Sequence, residues 1–235
     1  MHRRFIAPIA ITLTCLLLLG ASESKLHFLS ADAVDVVQLL PDPPDNNSDE
    51  YHREIEQILK IQVTRSDDEI AHGKSESKLT VFAFADVLGP WFTAENCPQT
   101  AEFYKKIASD SKYFTELGKD HWKRPRPPRS DDRVKPLLEE KDDSYPSGHA
   151  TRGMIFAETL AEIFPHEREA LLARGRQIGW DRVIVGVHFP SDVYAGRVLG
   201  HALARELLAK PEFRAELEKV KAELDAHAVQ SAATR

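Results

Sequence analysis

The chain has 235 residues, 42% of them apolar and 29% charged, with a formal net charge of −6. That length buries one good hydrophobic core and allows one domain or two small ones. The acidic balance excludes a nucleic-acid or anionic-membrane binder, since neither polyanion attracts such a surface. The basic residues clustered between Lys119 and Arg133 are therefore a local feature.

In chain order, residues 1–24 come first. Arg3 and Arg4 precede an apolar stretch from Phe5 to Gly20, and Ala21-Ser22-Glu23-Ser24 forms a small, polar exit. This is the pattern of a cleavable export signal. The apolar run is about 16 residues with Pro8 inside it, short of the roughly 20 that a membrane span needs. Cleavage fits after Ser22 or Ser24, or later after Ala33, and export places the protein in the periplasm or outside the cell. Cys15 leaves with the signal, so Cys97 is the one remaining cysteine and no internal disulfide can form. No basic group flanks Cys97, which reads as a buried or capping thiol rather than a nucleophile.

Residues 25–50 form a Pro-, Asp- and Asn-rich extended leader. From Asp49 the spacing of Ile55, Ile58, Leu59 and Ile61 predicts a helix, capped by Ser48 or Asp49. A polar break is expected from Arg65 to Lys78, then a buried helix over Leu79–Leu88 that Gly89-Pro90 ends. Asn96-Cys97-Pro98 opens a helix with Ala101, Phe103, Tyr104, Ile107 and Ala108 inward, and Pro125 keeps it from running far past Trp122. Residues 128–145 are a charged loop overhanging whatever lies beneath it. Further helices are predicted from His149 to Phe164, from His166 through Ile178, from a Ser191 N-cap onward, and from Pro211 to about His227. No alternating apolar pattern is longer than Val183–Val187, and no span or internal repeat follows the first 24 residues. The fold class is all-α: a single domain over residues 51–235 with six to eight helices.

Three segments carry the chemistry. Pro146-Ser147-Gly148-His149 makes a tight turn into a helix, whose unpaired N–H groups and positive dipole end favour an anion. There Ser147 adds a hydroxyl, Gly148 allows close approach and His149 stands as a proton donor. Lys119 and Arg126, seven residues apart, supply a point charge and a bidentate guanidinium for phosphate oxygens. Arg182 and His188 bracket an apolar stretch, so both need partners once buried. Asp192, four residues after His188, can fix the imidazole tautomer and leave the other nitrogen free to attack. Taken singly, each segment has a plain alternative: a helix cap, a solvated basic loop, a core histidine satisfied by a carboxylate.

In order and interval the three together resemble the type-2 phosphatidic-acid phosphatase superfamily: Lys119 with Arg126-Pro127, then Pro146 to His149, then Arg182, His188 and Asp192. Phe84-Ala85-Asp86-Val87-Leu88-Gly89-Pro90, the leader and the signal make the chain similar to the bacterial class A non-specific acid phosphatases. The resemblance implies a helical bundle of the phosphatase and haloperoxidase type and a phosphohistidine mechanism on phosphate monoesters, at acidic pH and open to vanadate inhibition. In it His188 attacks phosphorus, Asp192 orients His188, and His149 protonates the leaving alcohol. Lys119, Arg126, Arg182, Ser147 and Gly148 bind the non-bridging oxygens. No metal or other cofactor is implied, and a homodimer is a family expectation. Asp181 departs from the pattern, standing where the family has serine; a carboxylate there would compete with phosphate for Arg182 or add an acceptor. Rival readings are a vanadium-dependent haloperoxidase, a non-catalytic phosphate binder, and a zinc hydrolase built on His149, His188 and Asp192. Three cations aimed at one point disfavour the last.

Overall fold

The computed structural model describes residues 25–233, with side chains as far as His227. The export signal read over residues 1–24 lies outside the described residues. Ten α-helical segments follow in order: α1 (Val36–Leu39), α2 (Asp49–Thr64), α3 (Asp67–Ser75), α4 (Ala85–Leu88), α5 (Pro98–Trp122), α6 (Pro127–Ser130), α7 (Gly148–Ile163), α8 (Arg168–Ile184), α9 (Pro190–Ala209) and α10 (Pro211–Ala233). Three of these are single turns, so seven longer helices build an all-α bundle, and the described residues contain no strand.

Local chemistry sets the helix boundaries. Ser48 Oγ accepts the Tyr51 N–H at 3.1 Å, starting α2 where the cap was expected. The stretch read as a polar break is instead α3. Its signal is a capping box: Ser66 Oγ accepts from Glu69 N, and the Glu69 carboxylate accepts from Ser66 N at 2.7 Å. The predicted helix over Leu79–Leu88 is split into a 3₁₀ turn, Val81–Phe84, and α4. Val81 and Phe84, three residues apart, both point into the core, which is the 3₁₀ period. Gly89 then ends the segment at φ 104°, a conformation glycine adopts without a Cβ penalty. Helix α9 begins at Pro190 rather than after Ser191, because Asp192 at its third position accepts the Phe189 N–H at 2.8 Å.

Helix α7 is the central element, buried along most of its length against α8 and α9 and touching α5. The backbones approach so closely that a Cβ on Gly175 would stand 2.8 Å from Gly153 O, and one on Gly196 2.5 Å from Ser147 O. This packing brings the N-termini of α7 and α9 together, and the Ser147 N–H donates to Asp192 O at 3.0 Å.

The leader and the last helix are fastened to α5. The buried Asp110 carboxylate accepts three N–H groups of the leader, from His27, Phe28 and Leu29, at 2.7–3.0 Å. Phe28 packs on Phe103 and Phe213. At the start of α5, the Glu223 carboxylate of α10 accepts from Gln99 N and Thr100 N at 2.9 and 2.8 Å. Cys97, at the N-cap position, is buried and makes no side-chain cap bond. Burial, followed by the nearby Glu223 charge, pushes its thiol pKa up, so it is a poor nucleophile.

Candidate active site

The three sequence segments meet at one end of the bundle, around a cleft lined by Lys119, Arg126, Gly148, His149 and His188. Lys119 lies in the last turn of α5, which stops at Trp122 with Lys123 in the left-handed region at φ 45°. The chain then runs extended through Arg126, so Lys119 and Arg126 do not share a helix face. They converge because the chain turns back on itself. Both cations grip one carboxylate, that of Asp142 in the overhanging loop: Lys119 Nζ on one oxygen, Arg126 Nη2 on the other at 2.7 Å. Burial alone would raise the Asp142 carboxyl, but Lys119 and Arg126 overcome it and hold its pKa well below the ordinary range.

Arg182 is fully buried at the end of α8, and its Nη2 pairs with Glu140 of the same loop. Its Nε and Nη1 have no hydrogen-bond partner. An arginine buried with two donors unspent costs free energy unless an acceptor reaches them. Asp181 does not compete for Arg182. The expectation of such competition is corrected, because neighbouring helical residues point about 100° apart. Asp181 faces the other way, accepting from Gln177 Nε2 at 2.6 Å and lying 3.1 Å from His72 Nδ1. The carboxylates on the cations are those of Glu140 and Asp142.

His188 follows the turn after α8. Val187 N and His188 N both donate to Arg182 O across it, and Gly186 sits at φ 78°. The imidazole is 2% exposed. Nδ1 is 3.1 Å from Asp192 Oδ2, so the proton resides on Nδ1 and Nε2 keeps its lone pair. Arg126 Nη1 donates to that Nε2 at 3.1 Å and to Val187 O at 2.8 Å. Burial, then the charges of Arg126, Lys119 and Arg182, hold the His188 pKa well below 6.5. The ring is thus neutral, as a nitrogen nucleophile must be.

Ser147 caps α7, its fully buried Oγ accepting from Ala150 N at 3.4 Å, while Gly148 faces the cleft. A Cβ on Gly148 would meet only Thr115 Cγ2 at 3.5 Å, an ordinary contact. Packing therefore does not demand glycine there; the space it leaves belongs to the cleft. His149 stands at the first turn of α7 with Nε2 3.1 Å from the Glu76 carbonyl oxygen, which fixes the proton on that nitrogen and turns Nδ1 away. Burial, then Arg182, Arg152 and His188, holds its pKa well below 6.5 too.

Three residues at the site carry no signal in the sequence. Arg124 is buried beneath Asp192, donating from Nη1 to Asp192 Oδ1 at 2.6 Å and to Ser191 Oγ, and from Nη2 to Glu54 at 3.0 Å. Its guanidinium lies 3.9 Å over the Phe189 ring. Ser144 Oγ donates to Asp192 Oδ2 at 2.5 Å and sits 3.3 Å from His188 Nδ1. Arg152, one turn into α7, lines the cleft with an unpartnered Nε. Arg124 lay within the basic run, but nothing local separates a buried arginine from a solvated one. Ser144 and Arg152 belong to no motif that spacing reveals.

The family model described as the PAP2 superfamily matches residues 86–215, the stretch containing all three segments. The chain belongs to the PAP2 superfamily. A protein of Providencia stuartii named non-specific acid phosphatase is 28% identical over 218 residues, covering 86% of each chain. A non-specific acid phosphatase of Salmonella typhimurium is 29% identical over 201 residues, 79% of this chain and 78% of that one. The crystal structure of a bacterial vanadium-dependent iodoperoxidase superposes with a TM-score of 0.57 at 17% identity, over 75% of this chain and 53% of that protein. That likeness is one of fold. PAP2 membership and the all-α architecture thus agree with the reading of the sequence.

Proposed function

We propose that this PAP2 protein is an exported, metal-independent phosphatase that hydrolyses phosphate monoesters through a phosphohistidine. The observation that carries the reading is the pairing of His188 Nδ1 with Asp192 at 3.1 Å, which leaves a neutral Nε2 facing a cleft lined by Lys119 and Arg126. The names of the acid phosphatase relatives support the same reaction class, and the signal pattern of residues 1–24 supports export.

The substrate phosphate displaces Asp142 and Glu140 from the cations and takes the unspent donors of Arg182 together with the first N–H groups of α7. Arg126 moves from His188 Nε2 to a phosphate oxygen, freeing the lone pair. A P–N bond forms as the ester P–O bond breaks, and the cations stabilise the charge spread over the three equatorial oxygens. His149 gives its proton to the leaving alcohol. It then takes one from the water that cleaves the P–N bond. Because His149 is neutral without ligand, it acquires that proton on binding, when the incoming anion offsets Arg182 and Arg152.

A phosphomonoester panel with and without EDTA, from acidic to neutral pH, tests the reading. Turnover should survive chelation and fall to vanadate. The variant His188→Ala should lose at least about a thousandfold in kcat and trap no acid-labile phosphoenzyme, with phosphate affinity largely kept. Halide oxidation with bound vanadate and no ester turnover would favour a haloperoxidase; turnover lost to EDTA and restored by zinc, with no acid-labile phosphoenzyme trapped in the unmutated protein, would favour a metal hydrolase. Unchanged turnover in His188→Ala would remove the nucleophile from the scheme.

A further inference from the structure

Behind His149, on the side away from the cleft, three donors converge that the phosphatase reading does not use. They are His72 near the end of α3, Glu76 just beyond it, and Asp181 on α8. One ligand atom from each lies within 4.8 Å of the others. Glu76 and Asp181 are 4% and 1% exposed; Glu76 Oε2 has no hydrogen-bond partner, and Asp181 Oδ2 meets only the His72 imidazole at 3.1 Å and Arg174 Nη1 at 3.9 Å. A buried carboxylate oxygen left unpaired beside a second carboxylate is costly.

The other oxygen of each carboxylate is anchored. Glu76 Oε1 pairs with Arg174 Nη2, and Asp181 Oδ1 accepts from Gln177 Nε2 at 2.6 Å. His72 turns Nδ1 inward, 3.1 Å from Asp181 Oδ2, while Nε2 lies 3.5 Å from Asp86 Oδ2. A carboxylate behind the imidazole and hydrogen-bonded carboxylates beside it form the outer arrangement that orients ligands around a metal ion.

Charge points the same way. Arg174 is the cation in direct contact with the cluster, held by Ala83 O at 3.2 Å and Asp86 at 3.1 Å as well as by Glu76. The carboxylates of Asp86 and Asp181, joined by Glu76 once an ion displaces its proton, outnumber the one guanidinium in contact with them, a balance that a divalent ion completes. The approach of α3 to α8 is built in, since a Cβ on Gly73 would stand 2.7 Å from Val185 Cγ1. His72 is 38% exposed, which gives an ion a way in from solvent.

We propose that His72, Glu76 and Asp181 bind one divalent transition-metal ion of the zinc class, which ties α3 to α8 behind His149. One imidazole and two carboxylates suit zinc, with cobalt as its spectroscopic substitute, and leave a fourth position to water. The ion does no chemistry on phosphate. It holds the segment whose Glu76 carbonyl meets His149 Nε2 at 3.1 Å, and it accounts for an aspartate at 181.

The test is binding to the full-length mature protein after chelator dialysis, read without substrate, so its outcome is independent of the phosphatase reading. Equilibration with Zn²⁺ should leave one equivalent per chain by elemental analysis, and Co²⁺ should give visible d–d absorption. A hundredfold excess over Kd should raise the melting temperature by about 5–10 °C. His72→Gln, at a partly exposed position that leaves the fold intact, and Asp181→Asn should each weaken binding at least tenfold. His149→Gln should leave it unchanged. No bound equivalent, undiminished affinity in His72→Gln, or loss of binding in His149→Gln would each overturn the assignment.

Discussion

At the residue scale, the three cations proposed to hold phosphate are already engaged by acids of the chain itself. Asp142 bridges Lys119 and Arg126, and Glu140 takes Arg182. On the proposed function, a substrate competes with these tethered carboxylates, and this lowers its apparent affinity. Asp142 is 43% exposed, so each of its ion pairs has the modest strength of a partly solvated pair. Asp142→Asn should lower the inhibition constant for inorganic phosphate by about twofold to fivefold. Isothermal titration measures it, and weaker phosphate binding in that variant would show that Asp142 assists the cradle instead of competing for it. The same titration run in buffers of different ionisation enthalpy should reveal net proton uptake on binding, as His149 becomes charged; zero uptake between pH 5 and 6 would remove His149 as the acid.

At the element scale, α5 carries Lys119 at one end and is fixed at its start and middle by groups distant in sequence. Glu223 of α10 supplies the N-cap that Cys97 cannot. Asp110 satisfies three leader N–H groups that would otherwise be stranded in a largely buried setting. Glu223→Ala should cost about 1–2 kcal/mol, the worth of a charged cap. Asp110→Ala should cost about 2–4 kcal/mol, since it strands several donors at once. Urea unfolding measures both, and the larger loss should fall on Asp110. Equal or reversed losses would mean that the leader contributes little to the domain.

At the scale of the whole molecule, the arrangement that readies His188 makes the fold acid-sensitive. The folded-state pKa of His188 is depressed, so below the unfolded value near 6.5 the unfolded chain binds the proton more readily. Stability from this group is full above that pH and declines as pH falls through it, by up to about 1.4 kcal/mol per pH unit. Glu76 opposes this: burial, against the favourable Arg174 charge, lifts its pKa to about 7, so its proton favours the native state as pH falls from about 7 toward 4.5. His188→Asn should flatten the fall of the urea midpoint between pH 6.5 and 5, and an unaltered slope would mean that His188 is not neutral in the native state.

The sequence by itself determined much of this protein. Helical periodicity, the Ser48 cap and the stop that Pro125 imposes are local, so they are legible without tertiary information. The order and spacing of Lys119, Arg126, Ser147, Gly148, Arg182, His188 and Asp192 identified the superfamily, because a reaction fixes which residue types must recur and where. Tertiary structure decided the rest. The helix over Asp67–Ser75 has too few apolar residues to show a period; its Ser66–Glu69 capping box is local, but its place in the bundle comes from the docking of Gly73 against α8. The role of Arg124 depends on Glu54, Ser191 and Asp192, residues about 70 positions away that only the packing of α2 and α9 brings within reach. Likewise Pro125 limits the helix that carries Lys119, but only the packed chain shows how the two cations converge: a left-handed Lys123 ends the helix and both meet on Asp142. Spacing along a chain states which groups the chemistry requires. Which carboxylate each of them faces is settled only when distant segments pack.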